Sequence, residues 1–256
     1  MIIDNKTFNQ KNLNLLLNNE LDYIIIKNFV DQDLCNNLCE KILNDDVKGY
    51  INAPSIGRIG MAFYEAENKK DLIEKYFSSV DHNIQTLRNK CYPLASPIDI
   101  LRCRLDEVWE AGSMIERIMG KKMFVGLARV VKPEITFLAH HDIFEKDAPE
   151  SFRAKSLISQ IACNVYLQMP KNGGELMLWE KEISASEFDE MRGESYGIPV
   201  EDLGEPTHII KPEIGDLILF NSRKMHAISP GDSCPRFSLS CFIGYRGNHQ
   251  PLSVWS

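Results

Sequence analysis

The sequence has no long apolar run, no block of basic charge, no metal-finger cysteine spacing and no low-complexity tract, and each absence narrows what the chain can be. No uninterrupted apolar stretch approaches the roughly 20 residues needed to cross a bilayer. The opening Met1-Ile2-Ile3-Asp4-Asn5-Lys6 lacks the apolar core of a signal peptide, so no secretion is expected. The seven cysteines are odd in number and scattered. Cys35 and Cys39 sit at helical i, i+4 spacing and read as packing, which fits a reduced cytoplasm. A net charge of −7 without a basic run disfavours a nucleic-acid or anionic-membrane partner. Without internal repeats or a Pro/Gly/Ser-rich linker, one domain spanning 1–256 is the simplest organisation. At 44% hydrophobic and 25% charged residues the composition is that of an ordinary globular protein with a sizeable core.

What is present divides into two halves of different period. Residues 1–120 read as mainly helical support. Tyr23-Ile24-Ile25-Ile26 predicts a short strand. Asp31 is a good N-cap for a helix through Leu34, Leu38 and Ile42. Residues 47–66, with Gly49, Pro54, Gly57 and Gly60, read as loop with short strands. From Lys70 to Cys91, Leu72, Ile73, Tyr76, Phe77, Val80, Ile84 and Leu87 trace a helical stripe. A further helix is predicted after Pro97, through Leu101, Leu105, Val108 and Met114 towards Gly120.

Residues 121–256 read as short strands: Met123–Val131, Ile158–Met169, Glu175–Trp179, His208–Lys211, Asp216–Phe220 and Phe237–Tyr245. Turn signals such as Lys171-Asn172-Gly173-Gly174 and Pro230-Gly231-Asp232 separate them. That punctuation predicts a β-sandwich or jelly roll, hence an α+β chain overall. The polar stretch near 184–206, with a short helix at Ser186–Arg192, is expected to form an insert over the barrel mouth and to act as a mobile lid.

One ordered set carries the chemistry. His140 and Asp142 are two apart, so on a strand both face one interior while His141 points away. His226 follows Gly215-Asp216-Leu217-Ile218-Leu219-Phe220, and Arg236-Phe237-Ser238 begins ten residues later. Two imidazoles and a carboxylate are the facial ligand set of non-haem Fe(II) oxygenases, leaving open positions for co-substrate and O2. Arg236 and Ser238 share a strand face, and the planar guanidinium can grip a co-substrate carboxylate with two hydrogen bonds. A His-x-Asp alone arises readily by chance; the ordered set is specific. Asn164 and Tyr166 lie on one face of a barrel strand, where either contact with co-substrate or substrate or plain core packing accounts for them.

Ala139-His140-His141-Asp142, Asn172-Gly173-Gly174-Glu175-Leu176, Gly215–Asn221, His226 and Pro235-Arg236-Phe237-Ser238 together resemble the Fe(II)/2-oxoglutarate-dependent dioxygenases. The resemblance implies a double-stranded β-helix (jelly-roll, cupin-like) core supported by N-terminal helices. It also implies Fe(II) on His140, Asp142 and His226, with 2-oxoglutarate held by Arg236, helped by Ser238, and O2 as oxidant. Within that superfamily the chain is similar to the freestanding aliphatic halogenases of welwitindolinone-type pathways, from Ile25-Ile26-Lys27-Asn28-Phe29-Val30 to the terminal Val254-Trp255-Ser256. Those halogenases carry glycine where Asp142 stands. The carboxylate here therefore implies hydroxylation rather than halogen transfer, with desaturation or cyclisation open on the same ligands. The expected substrate is a small molecule, a free amino acid or specialised metabolite; the alternatives are a protein hydroxylase or a metal-binding protein without turnover. The oligomeric state is left open.

The remaining candidates are weaker. His82, His208 and His249 read as structural or exposed, and Trp255 as packing. Arg58, Phe63 and Tyr64 in the Gly57–Glu67 loop, and Ile143-Phe144, are substrate-contact candidates by position, with a structural role the simpler reading for each.

Overall fold

The computed structural model describes residues 1–43, 48–51 and 54–256. Strand β1 (Ile2–Asp4) runs parallel to β2 (Tyr23–Lys27), with helix α1 (Gln10–Leu17) between them. Asn9 caps α1 by accepting from the Asn12 amide while Asn12 returns the bond to the Asn9 amide. Helix α2 (Gln32–Leu43) starts beside Asp31, whose carbonyl accepts from the Cys35 amide, and buries Leu34, Cys35, Leu38, Cys39 and Ile42. Strands β3 (Lys48–Gly49) and β4 (Ile56–Ile59) pair before a 3-10 turn at Phe63–Ala66. Helix α3 (Lys70–Cys91) has the bounds its apolar stripe predicts. Helix α4 (Pro97–Val108) is capped by Ser96, with Pro97 in its first turn. Arg88 of α3 donates twice, at 2.8 Å each, to the Asp99 carboxylate of α4 and locks the two helices together.

Two expectations for this region fail. The helix after Pro97 stops at Val108 rather than continuing through Met114 to Gly120. Gly112 adopts φ 73°, and Asp106 Oδ1 accepts the Ser113 amide at 2.7 Å, so the chain turns out of the helix. Met114 lies instead in β5 (Ser113–Ile115), followed by the small pair β6 (Arg117–Ile118) and β7 (Lys121–Lys122). The strand expected over Met123–Val131 is ladder-bonded only as β8 (Leu127–Val131). Upstream of it, Ser256 takes over: its amide donates to Phe124 O at 2.7 Å and its hydroxyl accepts from the Gly126 amide.

After β8 come β9 (Phe137–His140), two single-turn helices α5 (Phe144–Asp147) and α6 (Phe152–Lys155), β10 (Ser159–Gln168), β11 (Leu176–Leu178), helix α7 (Ala185–Arg192), β12 (His208–Ile210), β13 (Leu217–Asn221), β14 (His226–Ile228), β15 (Arg236–Tyr245) and β16 (Leu252–Trp255). The larger sheet has the order β1-β2-β13-β10-β15-β8-β4-β3, with β16 alongside β15 and β5 parallel to β16; the smaller is β12-β11-β14-β9. Alternation on the long strands decides what goes where. Ile161, Cys163, Val165, Phe237, Leu239, Cys241 and Ile243 face one way, into the core under α1, α2 and α4. Ala162, Tyr166, Ile218, Phe220 and Phe242 face the other, where they meet Leu176, Leu178, Ile210 and Ile228 of the smaller sheet. The space between the sheets is the interior of a double-stranded β-helix. No helix among the described residues is long and apolar enough to cross a membrane.

Candidate active site

The smaller sheet brings the two histidines together: β9 pairs with β14, and His140 stands opposite His226 with ring centroids 4.2 Å apart. His140 Nδ1 lies 2.8 Å from the Leu138 carbonyl and His226 Nδ1 lies 3.0 Å from the Lys224 carbonyl. A carbonyl only accepts, so each Nδ1 carries the hydrogen and each Nε2 keeps a free lone pair. Asp142 is anchored by its amide, which donates to Ser222 O at 2.8 Å, and its Oδ2 sits 3.4 Å from His226 Nε2. One ligand atom from each of the three lies within 4.8 Å of the other two. Asp142 Oδ2 is buried without a hydrogen-bond partner. The donor set, the tautomers and this orphaned oxygen suit a ferrous ion.

The electrostatics agree with that use. Burial, with the His226 charge second, drives the His140 pKa down to about 3, so the ring is neutral and able to ligate. For Asp142, burial pushes the carboxyl up, but the adjoining His226 and His140 rings and the Arg129 guanidinium outweigh it, and the group stays ionised.

Arg236 and Ser238 point from β15 into the barrel, as their shared face predicts. Arg236 is 4% exposed; its Nη2 donates to the Tyr166 hydroxyl at 3.1 Å and its guanidinium lies 4.8 Å over the Tyr166 ring. Arg236 Nε and Ser238 Oγ are both buried without partners. An unmatched buried guanidinium edge beside an unmatched hydroxyl is a cradle for a carboxylate. Tyr166 thus belongs to this cradle. Asn164 faces the same interior further along β10, beside Arg129, Tyr64 and Ser240.

The structure places Asp142 beside His140 by a different route from strand alternation, and corrects the placement of His141. Strand β9 ends at His140, so alternation no longer governs the next two residues, and Asp142 is positioned by its bond to Ser222. His141, expected to point away, is buried, packs on Phe188 with ring centroids 4.4 Å apart and lines the same cavity as His140 and Asp142. That cavity measures about 610 Å³. The insert forms one wall: Tyr196 accepts the Leu138 amide at 2.8 Å, Ile198 bridges Ala139, and Lys146 of α5 reaches Asp189 of α7 at 2.7 Å. Of the loop candidates, Tyr64 and Ile143 line the cavity, whereas Arg58 is committed to Glu65 and Phe63 and Phe144 pack in the core. Trp255 stacks on Phe144, a packing role as expected.

Sequence reasoning missed Tyr50, Asp147, Tyr196 and, above all, Arg129. Arg129 is a buried cation on β8, opposite Ser238 in register, and its Nε donates to Tyr50 Oη at 3.0 Å. Among the described residues no carboxylate lies within ion-pair distance of Arg129 or Arg236. A readable signal existed: a single charge inside the otherwise apolar Leu127-Ala128-Arg129-Val130-Val131. A second group with ligand-like spacing, Asp22, Glu180 and His208, is an ion network instead, because Lys224 Nζ lies 3.0 Å from Asp22 and His208 Nε2 lies 2.9 Å from it.

Residues 125–244 match the family model of the 2OG-Fe(II) oxygenase superfamily. An L-gamma-glutamyl-L-propargylglycine hydroxylase of Streptantibioticus cattleyicolor is 29% identical over 180 residues, 68% of this chain and 65% of that protein. The chain therefore aligns with just under two thirds of that relative's length. The leucinostatins biosynthesis cluster protein S of Purpureocillium lilacinum is 27% identical over 219 residues, 79% of this chain and 86% of that one. Among solved structures, an N-substituted L-amino acid dioxygenase from Burkholderia ambifaria superposes with a TM-score of 0.64 at 17% identity, covering 96% of this chain and 91% of the other; this likeness is one of fold.

Proposed function

We propose that the chain is a 2OG-Fe(II) oxygenase, the superfamily whose model residues 125–244 match, and that it hydroxylates an unactivated C–H bond of a small amino-acid-derived molecule. In this reading His140, Asp142 and His226 hold the iron, Arg236 with Ser238 and Tyr166 holds the far carboxylate of 2-oxoglutarate, and residues 1–256 act as one domain. The carrying observation is the convergence of the two free Nε2 lone pairs and the Asp142 carboxylate, with His140 and Asp142 lining a cavity, in the same barrel that holds the unpaired Arg236 and Ser238 groups. The cavity volume, about 610 Å³, lies in the range that encloses a small ligand rather than a protein segment. The similarity to a hydroxylase of a glutamyl dipeptide supports an amino-acid-derived substrate and oxygen insertion.

When bound, the iron, 2-oxoglutarate and O2 supply the oxidant that converts C–H to C–OH, with succinate and CO2 as co-products. The protein's own residues do the rest. The Leu138 and Lys224 carbonyls fix both imidazole tautomers before any ligand arrives. Asp142 would balance part of the charge of a metal held by His140, Asp142 and His226. Arg236 orients the co-substrate through a fork that admits one carboxylate pose. Phe137, Tyr64, Tyr196 and Phe188 wall the cavity with rings that exclude water from the reacting carbon.

The direct test replaces His226 with alanine and measures bound iron together with 2-oxoglutarate-to-succinate turnover. Both are expected to collapse; a metal-replete, fully active His226→Ala protein overturns the assignment.

A further inference from the structure

The walls of the cavity carry an unbalanced charge. Two cations line it, Lys146 and Arg192, and both are spent on Asp189, each at 2.7 Å. Among the acids lining it, Asp142 faces the metal position and Glu67 is bridged by Lys69 at 2.8 Å. Asp147, the last residue of α5, also lines the cavity, and among the described residues no hydrogen bond or ion pair reaches its carboxyl oxygens. Burial, with the Asp142 charge added, pushes the Asp147 carboxyl well above the ordinary range against the weaker pull of Lys146. Independently, His141 is only 7% exposed, lines the same cavity, and has no partner for either ring nitrogen. A buried imidazole left this way in a finished fold calls for a ligand or an ordered water.

We propose that the cavity receives a substrate bearing an ammonium group, with Asp147 taking the ammonium and His141 making one further polar contact to the same molecule; this rests on the reading above that the cavity is the substrate site. An ammonium supplies the missing positive charge and up to three hydrogen-bond donors. A neutral hydroxyl leaves Asp147 without a counter-charge, and a carboxylate at that end is repelled by it.

The test uses the protein loaded anaerobically with Fe(II) and 2-oxoglutarate, and calorimetric binding of matched probes. These are L-norvaline, L-leucine and L-phenylalanine against their 2-hydroxy acids, and L-lysine against 6-hydroxynorleucine. At least one amine is expected to bind about 10-fold or more tightly than its hydroxyl partner, the yield of a charge-assisted hydrogen bond. Asp147→Asn, nearly the same shape, is expected to erase that preference, with 2-oxoglutarate affinity measured on the same sample as the check on the fold. The inference is overturned if no pair favours the amine, whether by equal binding or by no binding, or if Asp147→Asn keeps the preference. Succinate formation by the wild-type protein with iron, 2-oxoglutarate and O2 separates the two levels. Its absence sinks the oxygenase reading; its presence with flat pair comparisons sinks only the ammonium site.

Discussion

Arg236→Met is expected to weaken 2-oxoglutarate binding while leaving the ligand-free protein as stable as before, or more so. Arg236 is buried, carries no ion pair among the described residues, leaves Nε without a partner, and its pKa is lowered by that burial against the pull of Tyr166. Holding an unpaired charge inside the barrel costs several kcal/mol after relaxation. The compensation is one hydrogen bond to Tyr166, about 1 kcal/mol, and a cation–π contact of about 1–2 kcal/mol. Methionine keeps the apolar stem and removes both sides of that balance, so the net gain is about 1 kcal/mol, or about 2–4 °C in Tm for a chain of this size. Binding moves the other way. A two-pronged charge-assisted contact is lost, each prong contributing about 1.5–3 kcal/mol, so Kd for 2-oxoglutarate rises by at least about 100-fold. Thermal melts with and without co-substrate read both effects. Co-substrate at 100 times Kd stabilises the wild type by about 2.7 kcal/mol, and this shift disappears in the variant at the same concentration. A variant whose Kd stays within a few-fold of wild type, or whose ligand-free Tm falls by more than a few degrees, refutes the view of Arg236 as a charge stored for a dicarboxylate.

Two further outcomes test the framework around the site. Glu116→Gln is expected to cost about 3–5 kcal/mol of stability in denaturant melts, because the buried Glu116 carboxylate joins Arg153 at 2.5 Å and Arg246 at 2.6 Å and its loss strands their charges. Burial raises the Glu116 pKa, but the Arg153 and Arg246 partners outweigh it and the net shift is downward. The ionised form's contribution is therefore complete above the unfolded carboxyl range and fades as pH falls through the lower folded pKa, so the gap between variant and wild type should narrow in acid. Gly173→Ala is expected to lower Tm by several degrees, since Gly173 has φ +75° and an added Cβ falls 1.9 Å from the Pro230 carbonyl oxygen, which is backbone and cannot swing aside.

The site was largely legible because its parts are carried by short-range pattern. The helical stripe of 70–91 and the strand alternation of Arg236 and Ser238 follow from periods of 3.6 and 2, which hold wherever the element persists. The same rule misled at His141, because β9 ends one residue earlier and the Asp142 amide is taken by Ser222, eighty residues downstream. Met114 was misread for the same kind of reason: its local pattern continues a helix, but β16 offers β5 a parallel partner from the far end of the chain.

By itself the sequence determined the residue types of the candidate site, their order and the fold class, since donor chemistry and hydrophobic period are properties of residues and their spacing. Only the tertiary structure decided that His140 and His226 stand opposite each other with free Nε2 atoms and that, among the described residues, Arg129 and Arg236 share one barrel without a carboxylate to pair with and Asp147 and His141 face a cavity without side-chain partners. Those are statements about who is missing from a neighbourhood, and a neighbourhood exists only once strands far apart in the chain have paired and excluded water.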